Sequence, residues 1–325
     1  MKNWKDRLTG IVLTVLLGVI ALIVSALFPD HLSSIMVALF LGMAVGNTVR
    51  LPSSFDSGIN YSSSKLLEWA IVFLAFSIEY SSIASLGASS FVLVGSMMLI
   101  MLVASYYLSK RFRCPGTTGL LIGFGTTVCG SSAIAALAPS VSKEKEDIGI
   151  AMAVVNLLGT IGMLALPFVL LQVGSDEKTI GLMIGGSLHS VGNVAGAAYS
   201  IGDGVGELAI TIKLARVAML SPALILMNFL VNRDSSGSWM RHFKLPWYLW
   251  TFVVVTILMA ILPLSDTLLQ VLHSVGKAVL VVAMAGIGLK ISIKKLVQSG
   301  KKGLVFGVVV FVLQVLVLLG LMQVL

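Results

Sequence analysis

Eleven stretches of apolar side chains follow one another from end to end of the chain. They lie at roughly 10–28, 33–47, 65–80, 88–109, 117–139, 148–172, 180–200, 207–231, 247–263, 269–291 and 303–324. About 20 apolar residues cross a bilayer as one helix. A chain built this way is therefore an all-α polytopic membrane protein of about eleven transmembrane helices. Composition agrees: 11% of the residues are charged, against about 25% in a soluble domain. The links are short, so residues 1–325 read as a single integral membrane domain, with Asn232 to Pro246 the longest polar link. The N-terminal MKNWKDRLTG and its apolar run have the outline of a signal peptide. The sequence ALIVSALF from Ala21 is a poor cleavage context, so the segment reads as an uncleaved first span.

Charge sets an orientation. The net charge of +8 fits basic cytoplasmic loops better than nucleic-acid binding. With the N-terminus inside and eleven spans, Lys2, Lys5, Arg7, Arg50, Lys65, Lys110, Arg111, Arg113, Lys178, Arg233, Arg241, Lys244, Lys290, Lys294, Lys295, Lys301 and Lys302 fall on the cytoplasmic side. Lys143 and Lys145 fall outside, and the C-terminus is outside. One alternative survives. If the fifth and seventh segments are both re-entrant loops, the sixth span flips, placing Lys143 and Lys145 inside and Lys178 outside. The two cysteines, Cys114 and Cys129, supply no disulfide framework or zinc site.

The fifth segment carries the first candidate site. Gly116 to Val141 reads GTTGLLIGFGTTVCGSSAIAALAPSV: a helix, a break rich in Gly, Ser and Thr, then a second helix. Non-helical backbone at membrane depth survives only where protein buries it or where it lines a cavity, and such breaks form binding sites in transporters. Thr126, Thr127, Gly130, Ser131 and Ser132 offer hydroxyls and freed backbone donors. The N-terminus of the second half-helix suits an anion. Close packing of small residues is the competing reading. Cys129 belongs to the same cluster, as a packing residue rather than a nucleophile, since no acid–base partner adjoins it.

Two further groups follow. Gly185 to Asn193, GGSLHSVGN, sets His189, Ser190 and Asn193 inside an apolar segment, where they must face a cavity or other helices. His189 is the candidate for proton coupling, or else a helix-to-helix hydrogen bond. Lys213 and Arg216 are three apart and share a helix face. They either snorkel to the outer surface or line an anion path, with Arg216 the better oxyanion fork. Glu68 and Glu79 are boundary residues or partners for these cations, and Asn156 reads as a residue that holds helices together. Lys143 to Asp147 reads as a solvated helix start. No nucleotide-binding motif, metal cluster or hydrolase triad is present, and no cofactor is expected.

Residues 74–86 and 284–296 echo one another at an offset of 210, matching at Ala75/Ala285, Ser82/Ser292, Ile83/Ile293 and Leu86/Leu296. By span count the two run in opposite directions, as an inverted-topology repeat requires, with repeat halves near 10–172 and 180–325.

The run TTVCGSSAIAALAPSVSKEKEDIGIAMAVVNLLGT, the segment Gly185 to Ala198 and IKLARVAMLSP from Ile212 to Pro222 together resemble the YeiH-type sulfate exporter family of bacterial inner-membrane proteins. The likeness covers nearly the whole chain in order and spacing. It implies kinship with the sodium–proton antiporter and bile-acid symporter superfamily, whose members use inverted repeats and broken helices. Where that family has His-Asp this chain has His189-Ser190, and where it has Gln this chain has Asn193, so the obvious membrane-embedded acid is missing.

These readings converge on a secondary transporter of a small anion, sulfate- or sulfite-like or an organic oxyanion, exporting it in exchange or symport with protons or another ion. The chain is expected not to be an enzyme. The alternative within transport is a cation–proton antiporter, which predicts an Asp or Glu in the broken region that is absent. An intramembrane enzyme using His189 and Cys129, or a channel, ranks lower. The expected partners are a small anionic substrate, a coupling proton or ion and the lipid bilayer. Homodimer formation is left open, and nucleic acid is excluded. The expected location is the bacterial inner membrane, multi-pass, with the N-terminus cytoplasmic.

Overall fold

The structure, a computed structural model, describes residues 5–27, 33–76, 80–112, 114, 117–142, 144–231, 247–261, 265–291 and 301–324. The Asn232–Pro246 link, Lys2, Lys143, Glu79 and the 292–296 part of the internal echo lie outside these residues. Among the described residues every regular element is helical, and the protein is an all-α membrane protein. Five helices are long and apolar enough to cross a bilayer: Arg7–Leu27, Ser89–Phe112, Glu146–Gln172, Thr267–Lys290 and Lys302–Val324.

The chain divides into two compact units. The first comprises residues 1–84, 199–203 and 247–294. It holds α1 (Lys5–Leu27), α2 (Ser34–Thr48), α3 (Asp56–Tyr61), α4 (Leu67–Ala75), α13 (Trp247–Ile261) and α14 (Asp266–Lys290). A π-helical turn, Ser62–Leu66, joins α3 to α4. Within it Ser62 is buried and shares a 2.7 Å hydrogen bond with Thr14 of α1. Glycine brings α2 and α14 together: a side chain at Gly42 would strike the Ala285 carbonyl, and one at Gly288 would strike that of Leu39. In a membrane, where lipid is as apolar as leucine, this close approach replaces hydrophobic driving force with dispersion. Glu68 bonds Lys65, three residues earlier in the π-helical turn, at 2.8 Å, so it serves a local neighbour and not Lys213 or Arg216.

The second unit comprises residues 85–198, 204–246 and 295–325. Its elements are α5 (Tyr80–Phe112), α6 (Thr118–Thr127), α7 (Ser131–Val141), α8 (Lys145–Gln172), α9 (Glu177–Ser187), α10 (Val191–Ala198), α11 (Asp203–Ala218), α12 (Leu220–Val231) and α15 (Lys301–Val324).

Two helical hairpins organise it. At the start of α6, Thr117 donates to Asp147 of α8 from both its backbone N–H (2.8 Å) and its hydroxyl (3.0 Å), and Thr118 adds a third bond at 2.9 Å. At the start of α7, Ser131 bonds Asn156 of α8 at 2.6 Å. Nine residues of α8 separate these anchors, about 14 Å at 1.5 Å per residue, and α6 is about 15 Å long. So α6 runs alongside α8, the chain turns at Val128–Gly130, and α7 leads back towards the N-terminus of α8.

The second hairpin repeats the plan on α11. A side chain at Gly204 would lie 3.3 Å from Glu177, and one at Gly181 would lie 2.9 Å from Leu208. At Gly185 it would strike the carbonyl of Ala209. Thus α9 runs alongside α11, turns at Leu188–Ser190, and α10 leads back to the start of α11. The first hairpin opens towards the N-terminal end of α8, and the second follows from its C-terminal end.

Candidate functional site at the hairpin tips

The two turns meet. Gly130 has φ of 74°, a conformation that only glycine adopts without strain, and a side chain there would lie 3.4 Å from the His189 carbonyl. The mid-part of α8 passes beside both: Asn156 holds Ser131, and at Gly159 a side chain would collide with Asn193 and approach His189. All of the fifth- and seventh-segment residues proposed from sequence therefore gather at one junction.

Turning the chain leaves the last carbonyls of α6 and α9 without intrahelical partners in a buried setting. The buried cations of α11 supply them. Arg216 Nη1 donates to the carbonyls of Gly185 (3.3 Å), Gly186 (2.6 Å) and Leu188 (3.2 Å), and Nη2 to those of Thr126 (3.1 Å) and Thr127 (2.7 Å). Lys213 Nζ donates to Leu188 (2.8 Å) and Val128 (3.2 Å). Both side chains are 0% exposed, so neither snorkels to the surface. Nor do their terminal nitrogens stand open along a path: they cap two helix C-termini, where the macrodipole favours a cation. All their hydrogen-bond partners are carbonyls, and among the described residues no Asp or Glu is in ion-pair reach of either.

Most hydroxyls of the site bond locally. Thr127 donates to Gly123, Ser132 to the Cys129 carbonyl and Ser131 to Asn156. Ser190 accepts the Asn193 N–H and so caps α10. Cys129 Sγ lies 3.0 Å from Ser132 Oγ. At the junction, among the described residues, four buried side chains keep polar atoms with no partner: Thr126 Oγ1, both ring nitrogens of His189, Arg216 Nε and Gln314 Oε1. His189 therefore forms no hydrogen-bonded pair with Cys129. Its ring rests on Phe311 of α15, centroids 5.0 Å apart.

Gln314 was not among the residues singled out from sequence. It donates from α15 to Gly186 (3.1 Å) and Ser187 (3.0 Å). Its signal was present, an amide in the middle of the apolar run of Lys301–Val324, but that pattern equally fits a helix-packing residue. Asp147 was read as part of a solvated helix start and proves to be the anchor of α6.

Two hairpins whose tips meet at mid-helix, capped by buried cations without carboxylates, define a helical membrane protein with a polar junction enclosed in its interior. Residues 9–307 match the family model described as conserved hypothetical protein 698, and the chain belongs to that family. It is 30% identical to a UPF0324 membrane protein of Clostridium perfringens over 100% of this chain and 98% of that one. It is also 30% identical to one from Oceanobacillus iheyensis over 90% of this chain and 88% of that one. A third, from Corynebacterium glutamicum, is 30% identical over 90% of this chain and 85% of its own length. No solved structure matches the chain.

Proposed function

We propose that the protein is a secondary active transporter that exports a small oxyanion, binding it where the two hairpin tips meet. The observation that carries this reading is the pair of fully buried cations, Lys213 and Arg216, with no Asp or Glu among the described residues to neutralise them. Carbonyl dipoles stabilise these charges without neutralising them; net charge at membrane depth stays costly, and a bound anion is the partner that lowers that cost. The half-helices α7 and α10 add to it, since both begin at the junction and point their positive ends there. The motif likeness to the YeiH-type sulfate exporters supports the same class. A cation–proton antiporter needs a carboxylate at the junction, and an enzyme needs a paired nucleophile, so neither is favoured.

The proposed architecture is one transporter domain in the bacterial inner membrane, N-terminus inside and C-terminus outside. The eleven apolar segments divide into nine crossings and two re-entrant hairpins, the latter α6–α7 from the cytoplasmic face and α9–α10 from the outer face. The succession α6–α7–α8 followed by α9–α10–α11 is then an inverted repeat. This topology moves Lys143 and Lys145 to the cytoplasmic side and leaves Lys178 as the one Lys or Arg of the sequence in an outer loop, which strengthens the positive-inside bias.

Purified protein in proteoliposomes, challenged with sulfate, sulfite, thiosulfate, sulfonates and carboxylates, tests the function. Saturable flux of one class, lost in Lys213→Met, is expected. Flux of none, or flux that never saturates, would remove the transporter reading. Coupling is assigned to His189: an imposed pH gradient should drive flux in the parent and not in His189→Gln.

A further inference from the structure

Gln314 gives the proposed anion site a more specific character. Its amide faces two carbonyls, Gly186 and Ser187. Only the NH₂ end can face two acceptors, so the hydrogen-bond network fixes which way the amide points. Oε1 is thereby the atom left free of these two carbonyls, and it is buried and unpartnered. The other unpartnered groups of the junction belong to residues tied to the same turn. Arg216 shares the Gly186 carbonyl with Gln314 and also holds Thr126, while His189 directly follows Leu188, whose carbonyl both cations bind.

The requirements of this set are mixed. Arg216 Nε–H can only donate, the Thr126 hydroxyl donates or accepts, and a neutral imidazole does one of each. Gln314 Oε1 can only accept. A fully deprotonated oxyanion brings acceptors alone, which would leave Oε1 facing lone pairs. An oxyanion that keeps one hydrogen satisfies both kinds of group. A site built to hydrogen-bond a ligand hydrogen rejects the analogue that lacks it far more strongly than an apolar pocket rejects a shape.

Resting on the transporter reading above, we infer that the junction selects oxyanions that carry an O–H, and that Gln314 Oε1 is the selecting atom. The test is thermal unfolding of the full-length protein in detergent at neutral pH and constant ionic strength. The probes are two shape-matched pairs, phosphate against sulfate and hydrogen carbonate against nitrate. The first of each pair retains an O–H and the second has none. In the parent, the proton-bearing member of a pair should reach half-maximal stabilisation at about tenfold lower concentration. Gln314→Lys keeps donors towards Gly186 and Ser187 but has no acceptor, and should lose that preference. Gln314→Met does the same without added charge. Equal response to both members of each pair in the parent overturns the selectivity, a preference kept in both variants overturns its assignment to Gln314, and either result leaves the anion site standing. No response to any of the four anions overturns both. If neither variant folds, the parent's response to the pairs decides.

Discussion

The α2–α14 interface and the hairpin junction both depend on glycine, and they use it in opposite ways. At Gly42 and Gly288 the absence of a side chain lets two intact helices touch backbone to backbone. No hydrogen-bond ladder is broken there, and no polar group needs a new partner. At Gly130 glycine permits a turn with φ of 74°, and the cost is a set of helix-end carbonyls exposed at membrane depth. The first use is closed in itself. The second creates a demand, which Arg216, Lys213 and Gln314 meet. A site can arise only from the second kind, because only there do polar groups converge.

The largest test of this contrast is Arg216→Met. It removes one donor from each of five carbonyls, of which Gly186 keeps Gln314 and Leu188 keeps Lys213, and should cost about 3–5 kcal/mol, seen as loss of folded protein in detergent. Arg216→Lys should fall between it and the parent. Melting of Arg216→Met within a few degrees of the parent would show that the junction is held by something else. Gly42→Val addresses the other region. Forcing α2 off α14 should cost about 1–3 kcal/mol, with the response to anions unchanged, measured by the same unfolding assay with and without anion. Gly130→Ala imposes a strained backbone and should cost about 1–2 kcal/mol while also weakening anion stabilisation. Smallest is Ser131→Ala, which leaves Asn156 Oδ1 without its donor and should cost about 1 kcal/mol.

The residues of the junction were legible in sequence because polar and glycine residues are rare in apolar segments. That made Thr126 to Ser132 and His189 to Asn193 conspicuous, and Lys213 with Arg216 equally so. Their arrangement was not legible. A stretch of the length of 118–141 is long enough to cross a bilayer, and hydropathy is the same whether the chain crosses or doubles back. The bonds from Thr117 and Thr118 to Asp147, together with that from Ser131 to Asn156, reveal the return. The partners of the hydroxyls were not legible for a similar reason. A hydroxyl in sequence is a potential ligand donor, but Thr127, Ser131 and Ser132 give their hydrogens to nearby acceptors. Spacing showed that Lys213 and Arg216 share a face, and could not show that carbonyls far away in the chain would occupy it.

That sequence distance bears on how the protein is made. Thr126 precedes Arg216 by 90 residues. A ribosome releases the first hairpin well before it releases the guanidinium that completes it. Through that interval the end of α6 has no permanent partner. It cannot settle in the bilayer as a finished element, and must wait in the shelter of the insertion machinery or in contact with water. The order of translation thus makes α11 the last piece of the first hairpin, and a nascent chain halted before Arg216 should hold that hairpin open to protease or to thiol reagents at Cys129.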